Sequence, residues 1–187
     1  MMIRQTIKGG AIAAASTFAA ASFLVATPTA SAQSSNESAN GHGTLIVAGA
    51  KGDVRRQFSF SAHRQADGTV TGQATLINPA FQGANGKSPY QLHVDISCLK
   101  VVGNIAFMGG TTRRTNDPNL VDAVYFSVQD NGEPGKGRDM ISRAFFFDDN
   151  PATQGDPQLC QGNVVGDFPM EPIESGNVQV RGGVALP

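Results

Sequence analysis

The chain has 187 residues with a formal net charge of −1, 22 glycines, 10 prolines and no tryptophan. So even a balance excludes a nucleic-acid binder that works through a basic surface. That much glycine and proline excludes a mostly helical fold and suits many short strands joined by tight turns.

The first 32 residues read as a secretory signal peptide. Arg4 and Lys8 open it without an acid, "AIAAASTFAAASFLVA" is an apolar run of small residues, and Ala30-Ser31-Ala32 forms an A-x-A cleavage site before Gln33. The apolar run is too short and too rich in alanine and serine for a membrane anchor, which needs about 20 strongly apolar residues. No later segment is apolar for long enough to span. Cleavage would remove two of the fourteen basic residues and none of the fifteen acids, so the exported domain is mildly acidic. Residues 33–42, "QSSNESANGH", are small and polar and read as a flexible leader. A single domain is expected over 43–187.

From Gly43 onward the pattern has period two. "TLIVAG" (44–49) reads as a short strand. In "VRRQFSFSAHR" (54–64), Phe58, Phe60 and Ala62 share one face, with Ser59, Ser61 and His63 on the other. Asp67-Gly68 then separates this strand from "TVTGQATLIN" (69–78), a strong hairpin signal. Residues 79–88 form a loop. In "YQLHVDISC" (90–98), Tyr90, Leu92, Val94, Ile96 and Cys98 share a parity, and His93, Asp95 and Ser97 take the other. Gly103-Asn104 predicts a two-residue turn of type I′ or II′ into "IAFMGGTT" (105–112). Further strands are expected over 120–130, 138–149 and 177–184, with an irregular segment at 149–162. The paired arginines Arg55-Arg56 and Arg113-Arg114 lie near strand ends and are expected to be solvated.

About eight strands in consecutive hairpins predict an all-β, antiparallel meander that is barrel-like, a two-sheet sandwich being the alternative. Cys98 and Cys160, an even pair in an exported chain, are expected to form a disulfide. Closing a loop of about 62 residues stabilises by roughly 4 kcal/mol on the chain-entropy argument.

Several stretches together resemble a family of small exported bacterial proteins of unknown function: "FSFSAHRQADGTVTGQATL", "HVDISCLKVVGNIAFMGG", "FSVQDNGE" and "DMIS". Its Cys-Leu-x-Val-x-Gly-Asn-x-Ala core is matched here by Cys98, Leu99, Val101, Gly103, Asn104 and Ala106. The resemblance covers nearly all of the exported part and brings no catalytic residues with it.

Four constellations are candidates for chemistry or binding. His93, Asp95 and Ser97 alternate on one strand, but the outer two are about 13 Å apart at ~3.3 Å per residue, which rules out a nucleophilic triad. His63, His93 and Asp95 are the candidate metal ligands, provided that their strands are brought together. Asp130, Asn131, Glu133 and Asp139 offer oxygens for a calcium loop without the usual register. Phe58, Phe60, Phe126, Phe145 and Phe147 would line the interior if a small apolar ligand binds there. Phe81 and Phe146 are the candidate exposed aromatics.

These patterns together suggest a non-enzymatic exported binding or interaction module. Its partner is a protein or a small apolar ligand, taken up at the barrel mouth or at the loops 79–88 and 149–162. No cofactor and no nucleic acid is expected. The alternatives are a metal-dependent or other hydrolytic enzyme using His63, His93 and Asp95, and a purely structural component of the cell envelope.

Overall fold

The structure, a computed structural model, describes residues 36–47, 54–79, 86, 89–116, 123–143, 145–146, 155–162 and 169–182. All of them belong to the compact unit Ala32–Pro187. The expected signal peptide, Phe81 and Phe147 lie outside the described residues, as do the side chains of Phe145 and Phe146.

The strands are β1 (Ser38–Val47), β2 (Val54–Arg64), β3 (Val70–Asn78), β4 (Tyr90–Val102), β5 (Ile105–Thr115), β6 (Ala123–Gln129), β7 (Met140–Ser142), β8 (Phe145–Phe146), β9 (Met170–Pro172) and β10 (Ser175–Arg181). A 3-10 helix, Pro157–Gln161, is the one helical element among the described residues. Nine strands follow one another in a single curled half-barrel sheet, ordered β10-β1-β2-β3-β4-β5-β6-β7-β9, and β8 pairs with β6. Every pairing is antiparallel. The expected barrel-like meander is this one sheet, and the two-sheet sandwich is set aside.

Local chemistry sets the hairpins. Gly68 takes a positive φ of 87°, and the Asp67 carboxylate accepts from the Thr69 amide at 2.8 Å, closing the β2–β3 turn. Gly103 has a φ of 59°, and among the described residues no non-glycine has a positive one, so the β4–β5 turn has the type II′ requirement rather than that of type I′.

One apolar core fills the curl. It includes Leu45, Phe58, Phe60, Leu92, Val94, Ile96, Met108, Val124, Phe126, Val128, Ile141 and Val178. Phe58 and Phe60 stack with centroids 6.2 Å apart, and Phe60 meets Phe126 edge-on at 5.8 Å. The rings need small partners on β1. A Cβ on Gly41 would come within 2.6 Å of the Phe60 ring, and one on Gly43 within 3.1 Å of Phe58. This corrects the flexible-leader reading of 33–42. Residues from Ser38 onward already belong to β1, Ala39 is fully buried, and Glu37 is 1% exposed.

A second correction concerns Cys98. Leu92, Val94 and Ile96 point into the core, but the β4–β5 register shifts between Ile96 and Cys98, leaving Ser97 unpaired as a bulge. The inward parity inverts there, so Leu99 and Val101 continue the core while Cys98 faces outward. Cys98 is nonetheless fully buried, because the 3-10 helix covers it. It forms the expected disulfide with Cys160, Cα–Cα 6.1 Å, in a small outer cluster with Ala123 and Tyr125. The Tyr125 hydroxyl donates to the Asp156 carbonyl, and Gln161 Nε2 donates to Leu99 O at 2.9 Å. A Cβ at Gly109 would collide with Pro157 O, so the helix docks because that position is glycine.

The sheet's two edges are joined without a ladder. The chain itself passes from β9 to β10 through Ile173 and Glu174. Between them, the Asp139 and Asp130 carboxylates accept from the Val178 and Val180 amides of β10, at 2.8 and 3.0 Å. Carboxylates thus cap what would be a bare strand edge.

Candidate functional site

The candidate metal ligands do not meet. β3 lies between β2 and β4, with Thr71 opposite His63 and Thr75 opposite His93. Two strand spacings of about 4.8 Å and four residues of ~3.3 Å therefore separate the two imidazoles. Each is instead engaged locally, His63 Nε2 with Thr71 Oγ1 at 3.0 Å and His93 Nδ1 with Thr75 Oγ1 at 3.1 Å. Asp95 faces Arg113 at 3.5 Å, on the exposed surface. Among the described residues no three His, Cys, Asp or Glu side chains are grouped to hold a metal ion. The metal reading of His63, His93 and Asp95 is corrected: they are polar residues of the sheet's outer face.

The oxygens of the candidate calcium loop already have partners. Asp139, fully buried, accepts from the Asn131 and Val178 amides, both at 2.8 Å. Asp130 accepts from Gly132 and Val180. Glu133 Oε1 accepts from Asn177 Nδ2 at 2.7 Å, and Asn131 Oδ1 from Asn104 Nδ2 at 3.1 Å. Backbone amides thus hold the Asp130 and Asp139 carboxylates, and the loop clasps β10.

The interior keeps little room. The cavity beside Phe58, Phe60 and Phe126 measures about 40 Å³, enough for a few waters or a small alkyl group and far below the ~300 Å³ of ordinary ligand pockets. At this cavity the apolar-ligand reading is restricted to something small.

The polar rim of that cavity was not foreseen from the sequence. Arg56, Ser142 and Arg143 line it together with the aromatic rings, while Ser59 and Thr75, which also border it, carry their hydroxyls on the outer face. Arg56 has the parity of Phe58 and Phe60 and is half-buried, so its expected solvation is corrected, whereas Arg55 is exposed and pairs with Glu174 at 2.7 Å. The parity was legible in "RRQFSF", and reading the two arginines as one charged pair concealed it. Arg143, 47% exposed, donates from Nε and Nη2 to a single oxygen of Glu171, at 3.1 and 2.8 Å. Among the described residues, Glu171 Oε2 and Arg56 Nε are both buried without a hydrogen-bond partner, as are Ser127 Oγ and Asn177 Oδ1 elsewhere. Burial, and then the like charge of Arg143, hold the Arg56 guanidinium below the ordinary arginine range, with Glu171 acting in the opposite direction. Two guanidiniums thus line the apolar cavity, and the Glu171 carboxylate joins them through its bonds to Arg143.

The chain matches no family model, no curated protein and no solved structure.

Proposed function

We propose that the chain is an exported, non-enzymatic binding module whose recognition surface is the end of the half-barrel that holds Arg56, Arg143 and Glu171. The observation that carries this reading is that Arg56 Nε and Glu171 Oε2, both buried and in one cluster, have no partner among the described residues. Buried polar groups normally find partners, and leaving one without costs about 1–3 kcal/mol, so such a pair favours a site completed by something outside the chain. The long connections β1–β2, β3–β4 and β5–β6 also leave the sheet at this end, and binding segments concentrate on such loops.

Export is part of the proposal. It is supported by the Cys98–Cys160 disulfide and by the leader sequence, and among the described residues no helix is long and apolar enough to cross a membrane. We also place the chain with the small exported bacterial β-proteins that it resembles. The shared core supports this, since every motif residue contributes to the fold. Cys98 bridges, Leu99, Val101 and Ala106 are buried, Gly103 turns, and Asn104 ties Asp130 O at 2.8 Å.

Native mass spectrometry of the protein exported by its host tests the function. The expected result is a retained small molecule or partner that is lost from an Arg56→Ala, Arg143→Ala double variant and kept by Arg113→Ala on the outer face. Retention unaffected by the double variant, or a bare chain throughout, overturns the reading in favour of a structural envelope component.

A further inference from the structure

We infer that the rim of the aromatic cavity recognises a small apolar α-amino or α-hydroxy acid, its carboxylate held by Arg56 and Arg143 and its α-substituent by Glu171. The inference rests on the reading of this end as the recognition surface and adds the ligand's chemistry. Each part of the ligand answers a feature of the site. The cluster holds two positive groups and one negative, so it favours a ligand with an anionic group. Arg56 Nε, a donor without a partner, calls for an acceptor oxygen. Glu171 Oε2 calls for the opposite, a donor, and an ammonium or hydroxyl on the carbon beside a carboxylate supplies one.

The remaining group is set by the cavity. Its walls here are Phe58, Phe60 and Phe126, and its volume of about 40 Å³ admits a short branched alkyl group but no extended chain. The charges lie at the rim and the apolar space behind them, which fixes the orientation: carboxylate outward, alkyl group inward. Arg143 can take part without breaking a closed network, since both of its bonds go to one Glu171 oxygen.

The test is an NMR titration of the full exported domain with valine, α-hydroxyisovalerate, isovalerate, isobutylamine and isoamyl alcohol. Valine and α-hydroxyisovalerate should saturate, shifting the Phe58, Phe60 and Phe126 resonances. Isovalerate, lacking the donor, should bind about tenfold or more weakly than valine, the typical worth of one charge-assisted hydrogen bond. Isobutylamine and the alcohol, lacking the carboxylate, should show no saturation. Arg56→Gln should weaken valine binding about tenfold or more, and Glu171→Gln should bring valine and isovalerate closer together. If Arg56→Gln misfolds, the exposed Arg143→Gln serves the same purpose. Equal binding of acid and alcohol, or no saturation by any of the five, overturns the inference. In that event an adduct retained from the host and lost in the Arg56→Ala, Arg143→Ala variant still upholds the recognition surface, with a different ligand class.

Discussion

Arg56 and Arg64 sit on one strand with the same inward parity, at opposite ends of the half-barrel, and their surroundings could hardly differ more. Arg64 is saturated. Its Nε donates to Glu37 at 2.9 Å, Nη1 to the Gly68 carbonyl at 3.0 Å and Nη2 to the Leu99 carbonyl. That pair is buried, with side-chain exposures of 8% and 1%. The connections at this end, β2–β3 and β4–β5, are tight turns, and the clasp of Asp130 and Asp139 follows β6 at the same end. Arg56, at the other end, faces a second arginine and has a buried nitrogen without a partner among the described residues. One end is closed by tight turns, a buried ion pair and the clasp, and only Asn177 Oδ1 is left there without a partner among the described residues. The other keeps unmet groups on two charged side chains beside a cavity. The lesson is that an inward arginine does not by itself mark a site: its unmet valences do.

This contrast predicts that substitutions at the shut end lower stability, while those at the open end leave it intact. Glu37→Ala should have the largest effect, because it strands the buried Arg64 guanidinium. A loss of about 3–5 kcal/mol in urea unfolding is expected. Arg56→Met, by comparison, removes a guanidinium with an unmatched nitrogen and should leave stability within about 1 kcal/mol of wild type or raise it. Equal losses for the two variants would erase the distinction between the ends.

Replacing both Cys98 and Cys160 by alanine comes next, at about 2–4 kcal/mol. The bridge holds the 3-10 helix, whose Gln161 bonds the same Leu99 carbonyl that Arg64 reaches from inside. Amide exchange should therefore accelerate around Leu99 before it does around Arg56. Uniform acceleration across the sheet would mean that the bridge does not brace this end selectively. Asp139→Asn should follow, at about 1–3 kcal/mol, since an amide cannot accept on both sides from Asn131 and Val178. Faster exchange at the Val178 amide would report the loosened clasp, and unchanged exchange there would sink this role.

The smallest effect concerns the β2–β3 turn. Its backbone hydrogen bond from Thr69, then the side-chain one, hold the exposed Asp67 carboxyl below the ordinary aspartate range. A depressed folded-state value means a contribution that is complete above the unfolded value and lost as pH falls through the folded one. The Thr69 amide resonance should accordingly titrate at lower pH than an unrestrained aspartate would dictate. A midpoint at the ordinary value would remove Asp67 from the account of this turn.

Much of this fold was legible from residue patterns. The β2–β3 hairpin followed from alternation around Asp67-Gly68, the β4–β5 turn from Gly103-Asn104, and the disulfide from an even pair of cysteines in a chain whose first 32 residues read as a signal peptide. The start of β1 was not legible, because Ala39, Gly41 and Gly43 look like linker when read alone. Their small size is a response to the rings of Phe58 and Phe60 packed against them. Cys98 kept its burial but changed its side, because a single bulged residue inverts every parity after it.

The candidate sites divide in the same way. The outer-face position of His93 and Asp95 was readable from alternation within a strand, whereas the failure of His63 to join them depended on strand order. The charge cluster at the rim joins β2, the end of β7 and β9, segments far apart in the chain whose meeting no local pattern encodes. Local alternation and turn chemistry, which act over a few residues, thus determined that this protein is an antiparallel β-sheet with one bridge. Only the tertiary structure decided which polar groups find partners, because a donor and an acceptor far apart in sequence are matched or left unmatched by the curl of the sheet.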